Sequence, residues 1–333
     1  MDAQADRPQA AGGGGGGLML LRRRQLLTAG GLAAVGLGAR AQPRASVHDL
    51  DWRDRSRSRD VPVRLYWPQD ALGEVPLLLF SHGFGGERGH ASWLGRRLSA
   101  QGIACAHVQH IGSDYRVWLS GPLDWGLRQL RGEMTQERLD RVLDMQFTLD
   151  RLLQGEFGTR IDQGRVAAAG HSLGAQTVLL MGGASLPRER QPLRERRVGA
   201  VVAIGTAAFP GFETAALLRG LEVPSLHLTT EEDKTSMPGY AAGIEDRVAW
   251  YRAAGGPAKA LAVFRQGAHA IFNDAGPEDP VGAAAATLVQ AFLRGLWQGD
   301  ARALPAWRER QGPFVTRFET QGDLHRIPSG VRT

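Results

Sequence analysis

From residue 75 onward two hydrophobic patterns alternate along the chain. Short, largely apolar strand-like runs occur at Val75–Phe80, Ile103–His110, Val166–Ala169, Val198–Ile204, Val223–Leu228 and Ala260–Phe264. They lack polar alternation, as strands buried on both faces do. Between them lie segments with helical spacing: 87–101, Thr135–Leu153, Leu173–Met181, about 213–219, 240–254 and Val281–Trp297. In the longest, Leu139, Val142, Leu143, Met145, Phe147 and Leu149 supply the apolar positions. Regular strand–helix alternation predicts an α/β fold with a mostly parallel central sheet and helices on both faces. Ahead of it, Val47–Trp52 and Val61–Trp67 alternate apolar and polar residues around a charged loop, predicting an antiparallel pair at a sheet edge. Residues 112–133 lack a clear period and read as an excursion over the sheet edge. Residues 300–333 have little period and read as a tail. The predicted organisation is a leader over 1–41, a globular domain over 42–298 and a C-terminal extension over 299–333.

The leader holds six consecutive glycines, Gly12 to Gly17, which cannot offset their ordering entropy. Arg22-Arg23-Arg24 then precedes an apolar, Gly/Ala-rich run from Leu26 to Ala39, and Ala39-Arg40-Ala41 has the small-x-small form of a signal-peptidase site. This stretch resembles a twin-arginine export signal. The apolar run is shorter than the ~20 residues of a comfortable membrane span, and the absence of Cys at the cleavage site argues against a lipoprotein. A periplasmic or secreted protein, delivered by the export machinery, is expected. Met19 is an alternative start.

Composition changes the picture only by exclusion. The formal charge is +6, shared equally between the first 41 residues and the rest, and the basic residues are Arg apart from Lys234 and Lys259. Basic clusters such as Arg194, Arg196 and Arg197 alternate with Glu189 and Glu195, the pattern of a solvated face rather than a nucleic-acid surface. Cys105 is the single cysteine, so no intramolecular disulfide forms, and its apolar neighbours predict a buried, inert thiol.

Gly170-His171-Ser172-Leu173-Gly174 matches G-x-S-x-G. Chance alone supplies about 0.2 such matches in a chain this rich in glycine; the context adds specificity. The motif follows a small apolar strand and opens an apolar helix, so Ser172 would stand exposed on a tight strand-to-helix turn. A nucleophilic serine needs a base. His269 follows the final buried strand and precedes the final helix, within reach of the same sheet edge. By contrast, His107 and His227 lie inside strands, His110 ends one, His82 belongs to a Gly-rich loop, His171 sits within the turn itself, and His48, His90 and His325 lie in or near exposed segments. An orienting carboxylate is expected after the strand Val223–Leu228, at Asp233, with Glu231 and Glu232 as close rivals and Glu213 a weaker one. Backbone donors for a developing oxyanion are expected from Leu173 N–H at the helix start and Phe84 N–H in the loop Ser81-His82-Gly83-Phe84-Gly85-Gly86.

The stretches Pro76–Gly86, Gly170–Gly174 and His269–Asp274, with the spacing from Pro224 to Asp233, resemble the dienelactone-hydrolase-like and platelet-activating-factor-acetylhydrolase-like bacterial branch of the α/β hydrolases, over residues 46 to 298 or so. The resemblance implies an α/β-hydrolase fold and carboxylic-ester hydrolysis by a Ser172–His269–Asp233 triad, without metal or organic cofactor. Dienelactone hydrolases proper carry Cys where this chain has Ser172, which disfavours that activity. Many relatives have Gly where this chain has Ala175.

The expected substrate is a small-molecule or lipid-like ester, bound between residues 112–133 and the serine turn against Tyr115, Trp118 or Trp125; nucleic acid is not expected as a partner. A lipase or polyester hydrolase of the same fold is the nearest alternative. A catalytically inactive binding protein on the same scaffold is the alternative from another class. A peptidase would need a pocket for an N-terminal amine or proline, for which no residue pattern speaks.

Overall fold

The computed structural model describes residues 45–121, 127, 133–186, 193–208, 213–236, 241–274, 276 and 279–325; the leader over 1–41 and Trp125 lie outside them. The described strands are β1 (Ala45–Asp54), β2 (Arg59–Pro68), β3 (Val75–Ser81), β4 (Ala104–Val108), β5 (Ile161–His171), β6 (Val198–Ile204), β7 (Ser225–Glu232), β8 (Ala258–Ala268) and β9 (Val315–Gly322). The described helices are α1 (Ser92–Ser99), α2 (Glu133–Gln154), α3 (Leu173–Met181), α4 (Thr214–Leu218), α5 (Ile244–Ala253), α6 (Ile271–Asp274), α7 (Pro280–Gln298) and α8 (Ala303–Gln311).

The strands form one sheet in the order β1-β2-β4-β3-β5-β6-β7-β8-β9. The pairings from β4 through β8 are parallel, and the edges are antiparallel. Period-two alternation sends successive side chains to opposite faces. Leu78 and Phe80 of β3 therefore pack with Trp93, Leu94 and Leu98 of α1, in the core that α7 and α8 cover. Leu77 and Leu79 pack in the core shared with Val142 and Met145 of α2 and Val178 and Leu179 of α3. The chain leaves β3 through α1 to pair β4 on one side, then returns through α2 to pair β5 on the other. Winding reverses between β3 and β5. At that switch the loops after neighbouring strands diverge, and open α/β sheets bind ligands there, at the carboxyl ends.

Three expectations are corrected. The helix foreseen over 87–101 is confined to Ser92–Ser99. Ala91 adopts a left-handed φ of 54° and donates its N–H to Asn273 O at 2.9 Å, so a contact far away in sequence sets the helix start. The strand before the serine begins at Ile161, where Gly164 and Arg165 interrupt the apolar run that the sequence pattern relies on. The segment read as a C-terminal tail contributes to the sheet: β9 pairs antiparallel with β8. Trp307 of α8 is fully buried, its Nε1–H donates to Ala284 O and Thr287 Oγ1 at 3.1 Å each, and its ring lies 5.5 Å from Phe318. Among the described residues no helix is long and apolar enough to cross a membrane.

Trp307→Ala would leave a large cavity between α7, α8 and β9. Loss of about 3–5 kcal/mol of stability is expected in denaturant unfolding; a near-neutral result would mean that α8 and β9 fold independently of the sheet.

Candidate active site

Ser172 stands between β5 and α3 with φ 55° and ψ −113°, a left-handed conformation that a non-glycine residue adopts only at a cost of about 1–3 kcal/mol. The surroundings hold it there. Its N–H donates to Ile204 O at 2.8 Å, and its carbonyl accepts from Ala175 N–H at 3.1 Å. The flanking glycines permit the approach: a Cβ on Gly170 would lie 2.1 Å from Gly174 O, and one on Gly174 would lie 1.9 Å from Ser81 O. The G-x-S-x-G spacing is thus a packing requirement between β5, α3 and the end of β3. Ser172 is partly accessible.

Asp233 follows β7 and is fully buried. Its Oδ1 accepts from His269 Nδ1–H at 2.6 Å, and its Oδ2 accepts from Thr229 Oγ1–H at 2.9 Å. Arg247 Nη2 of α5 approaches the same Oδ1 at 2.8 Å. Burial works to raise the Asp233 carboxyl, but the His269 hydrogen bond and the Arg247 charge outweigh it and hold the group below its ordinary value. As a carboxylate, Asp233 can only accept, so His269 Nδ1 carries the hydrogen and its Nε2 presents a lone pair.

The rivals for the acid lie elsewhere. Glu231 and Glu232 are exposed, and Glu231 accepts from Thr316 Oγ1 at the sheet edge. Glu213 caps α4 through Ala216 N–H.

His269 follows β8, three strands from Ser172, yet its ring reaches the end of β5. A Cβ on Gly205, after β6, would lie 3.2 Å from His269 Cε1 and 2.9 Å from Asp233 Oδ2. His171, next to Ser172, stacks on His269 with ring centroids 4.5 Å apart and donates Nε2–H to His269 O at 3.0 Å. Burial holds His171 well below the usual imidazole range, so it stays neutral. The carboxyl ends of β5, β6, β7 and β8 thereby converge.

The loop after β3 closes the other side. A Cβ on Gly83 would lie 3.3 Å from Ser172 Cβ, which puts this backbone against the serine. Gly83 O accepts from Gly86 N–H at 3.1 Å and from His82 Nδ1–H at 2.6 Å. His82 Nε2 accepts from His110 N–H at 3.0 Å, which fixes the tautomer. With the Gly83 carbonyl held back, the same trans peptide turns Phe84 N–H to the opposite side. Leu173 N–H opens α3 beside Ser172.

Beneath this loop lies a buried polar network that the sequence pattern does not reveal. Arg141 of α2 is fully buried, donates to Ser81 Oγ at 2.9 Å and Ser113 Oγ at 2.8 Å, and also reaches His82 O. Asp144, one turn on, accepts from Arg57 and Arg59 of the β1–β2 hairpin and faces His110. Glu137 accepts from Ser113 Oγ at 2.6 Å, and burial pushes its carboxyl up to about 7. These charges occupy positions in line with Met145 and Leu152 on the core side of α2, so a charged residue on an apolar stripe is the available signal.

Of the aromatics expected near substrate, Trp118 packs edge-on to Phe84 at 5.6 Å, donates Nε1–H to Gly85 O and remains 60% exposed. Tyr115 is exposed at the other end of the same short 3-10 turn. Cys105 is buried, which pushes its thiol well above the usual range, in line with an inert role. Among the described residues no group of three or more His, Cys, Asp or Glu is placed to hold a metal ion. A partly accessible serine at the sheet edge to which a histidine and its buried carboxylate partner also come is an arrangement that can support nucleophilic acyl chemistry. Compared with known proteins, the chain matches no family model and no curated sequence.

Gly205→Ala would drive a Cβ into both Asp233 and His269 at a φ of 53°. The rate at which Ser172 reacts with a fluorophosphonate probe is expected to fall by roughly 10²-fold; an unchanged rate would dissociate the Asp233–His269 pair from serine reactivity. Glu137 supplies a pH prediction. Its folded-state value lies above the unfolded one, so the folded state binds the extra proton and stability falls as pH rises from about 4.5 to about 7. Glu137→Gln should flatten that decline by roughly 1–3 kcal/mol in urea unfolding at pH 5 and 7.5. Parallel declines in the two proteins would show that Glu137 does not titrate in this window.

Proposed function

We propose that this protein is a serine hydrolase of α/β-hydrolase architecture that cleaves carboxylic esters through an acyl-enzyme. The observation that carries the reading is the 2.6 Å hydrogen bond between His269 and the buried Asp233, at the sheet edge where Ser172 occupies a strained left-handed turn. His269 Nε2 takes the Ser172 proton as Oγ attacks the ester carbonyl, and returns it to the departing alcohol. Water then enters, His269 takes its proton, and the tetrahedral intermediate collapses to release the acid and restore Ser172. Asp233 holds the imidazole in its reactive tautomer and balances the imidazolium. Phe84 N–H and Leu173 N–H are the donors assigned to the oxyanion. The steps call on no metal or organic cofactor.

Exposed Trp118 beside Phe84, with exposed Tyr115 and Leu119 close by in the chain, favours an apolar, lipid-like acyl or alcohol group, and a lipase or polyester hydrolase is the version of this reading with the largest such substrate. The leader's resemblance to an export signal supports a periplasmic or secreted location, and nucleic acid is not among the proposed partners.

Purified mature protein is expected to react with a fluorophosphonate at Ser172, located by peptide mass spectrometry. Ser172→Ala should lose ester turnover by about 10⁴-fold or more with its circular dichroism unchanged, and His269→Ala should lose labelling. Absence of labelling in folded wild-type protein would move the chain to the non-catalytic binding class.

A further inference from the structure

Arg247 is a charged residue in the wrong place for a surface helix. It lies on α5, on the face that carries Val248 and Tyr251, and its side chain is 1% exposed. Its guanidinium contacts three of the loops that build the site. Nη1 donates to Gly205 O at 2.7 Å and Thr206 O at 2.6 Å, after β6. Nε donates to Asp233 O at 3.3 Å, and Nη2 meets Asp233 Oδ1 at 2.8 Å, after β7. Nη2 also stands 3.2 Å from His269 Nδ1, after β8. Since Nδ1 carries the hydrogen that binds Asp233, that last approach is not a hydrogen bond. Two donors, one of them permanently cationic, share a single carboxylate oxygen.

We infer that Arg247 is a positioning residue that clamps the acid and, by offsetting the Asp233 charge, makes protonation of His269 harder, so that the base stays available at lower pH. The inference rests on the hydrolase reading above. The physical basis is a like-charge effect. An imidazolium at His269 would have a guanidinium beside it and a carboxylate already shared with that guanidinium, and each weakens the stabilisation that Asp233 alone would give. The other groups facing the pair do not reproduce this. His171 is buried and neutral, Thr229 is uncharged, and Gly205 and Thr206 after β6 present carbonyls. Asp246, the neighbour of Arg247 on α5, acts on the guanidinium and caps the helix through Gly243 N–H.

The test is the pH dependence of kcat/KM on a short-chain p-nitrophenyl ester, with active sites counted by fluorophosphonate titration. In Arg247→Met the acid limb is expected to move to higher pH by about one unit or more, with KM within about twofold, because Arg247 acts through Asp233 and not on substrate. Arg247→Lys keeps the charge and should leave the limb within about 0.3 unit of wild type. If Arg247→Met does not fold, Arg247→Gln, neutral but able to donate to the Gly205 and Thr206 carbonyls, carries the same test. A limb that stays in place in an active neutral variant, or that moves equally in the Lys variant, overturns the role. A purely structural residue would lower the active fraction without moving the limb. Wild-type protein that neither labels nor turns over ester would instead overturn the hydrolase reading.

Discussion

A carboxylate with no exposure to water must find its counter-charge and hydrogen bonds inside the protein, and Asp233 is such a group. Its partners come from three directions: Thr229 from its own strand, His269 from the turn after β8, and Arg247 from α5. Satisfying it therefore ties together segments far apart in sequence. Arg247 extends the tie to Gly205 and Thr206, and the lack of a Cβ at Gly205 leaves room for Asp233 and His269 to meet there. The carboxyl ends of β6, β7 and β8 are thus held in one arrangement by a single buried charge. His171 carries that arrangement across to β5 by stacking on His269.

The other half of the site follows the same principle with different residues. The loop after β3 lies against Ser172, and its backbone is set by His82, whose two ring nitrogens bond Gly83 O and His110 N–H. Arg141 and Asp144, buried on α2, hold Ser81, His82 and His110 from below, while Arg57 and Arg59 bring the edge hairpin into the network. Buried ionic networks are seldom the most stabilising solution for a core. Here Arg141 ends on Ser81 and His82 of the loop that borders the serine, and what the network supplies is a fixed loop geometry. Ser172 stores backbone strain between these two braced halves. Both braces and the glycine pair at 170 and 174 oppose its relaxation.

Much of this was legible in the chain. The buried parallel strands announce themselves as largely apolar runs, and the edge hairpin by alternation, because burial on two faces or one writes a different period into the sequence. G-x-S-x-G between a strand and a helix marks Ser172, since only glycine allows the backbone contacts at Gly170 and Gly174. His269 is marked by its position after the last parallel strand. These are local or order-based signals, and they survive without coordinates.

What tertiary structure alone decided involves direction and partnership. Asp233, Glu232 and Glu231 are consecutive, and the side chain that turns inward depends on where β7 ends and how the chain bends there; no composition or period distinguishes them. α8 and β9 contribute to the sheet through long-range pairing with β8, so their short, Arg-containing segments carry little pattern of their own. Arg141 and Arg247 look like ordinary helix charges until the helices are docked. Their partners are carbonyls, hydroxyls and a carboxylate from other elements, 41 and 42 residues away for Thr206 and Gly205 from Arg247, and 59 and 60 for His82 and Ser81 from Arg141. The sequence by itself determined which segments become strands and helices and which serine and histidine are presented at their ends. Which of the three neighbouring carboxylates turns inward against His269, and which cations surround it, came from close packing of distant segments, because only a buried environment makes an ionised side chain choose its partner.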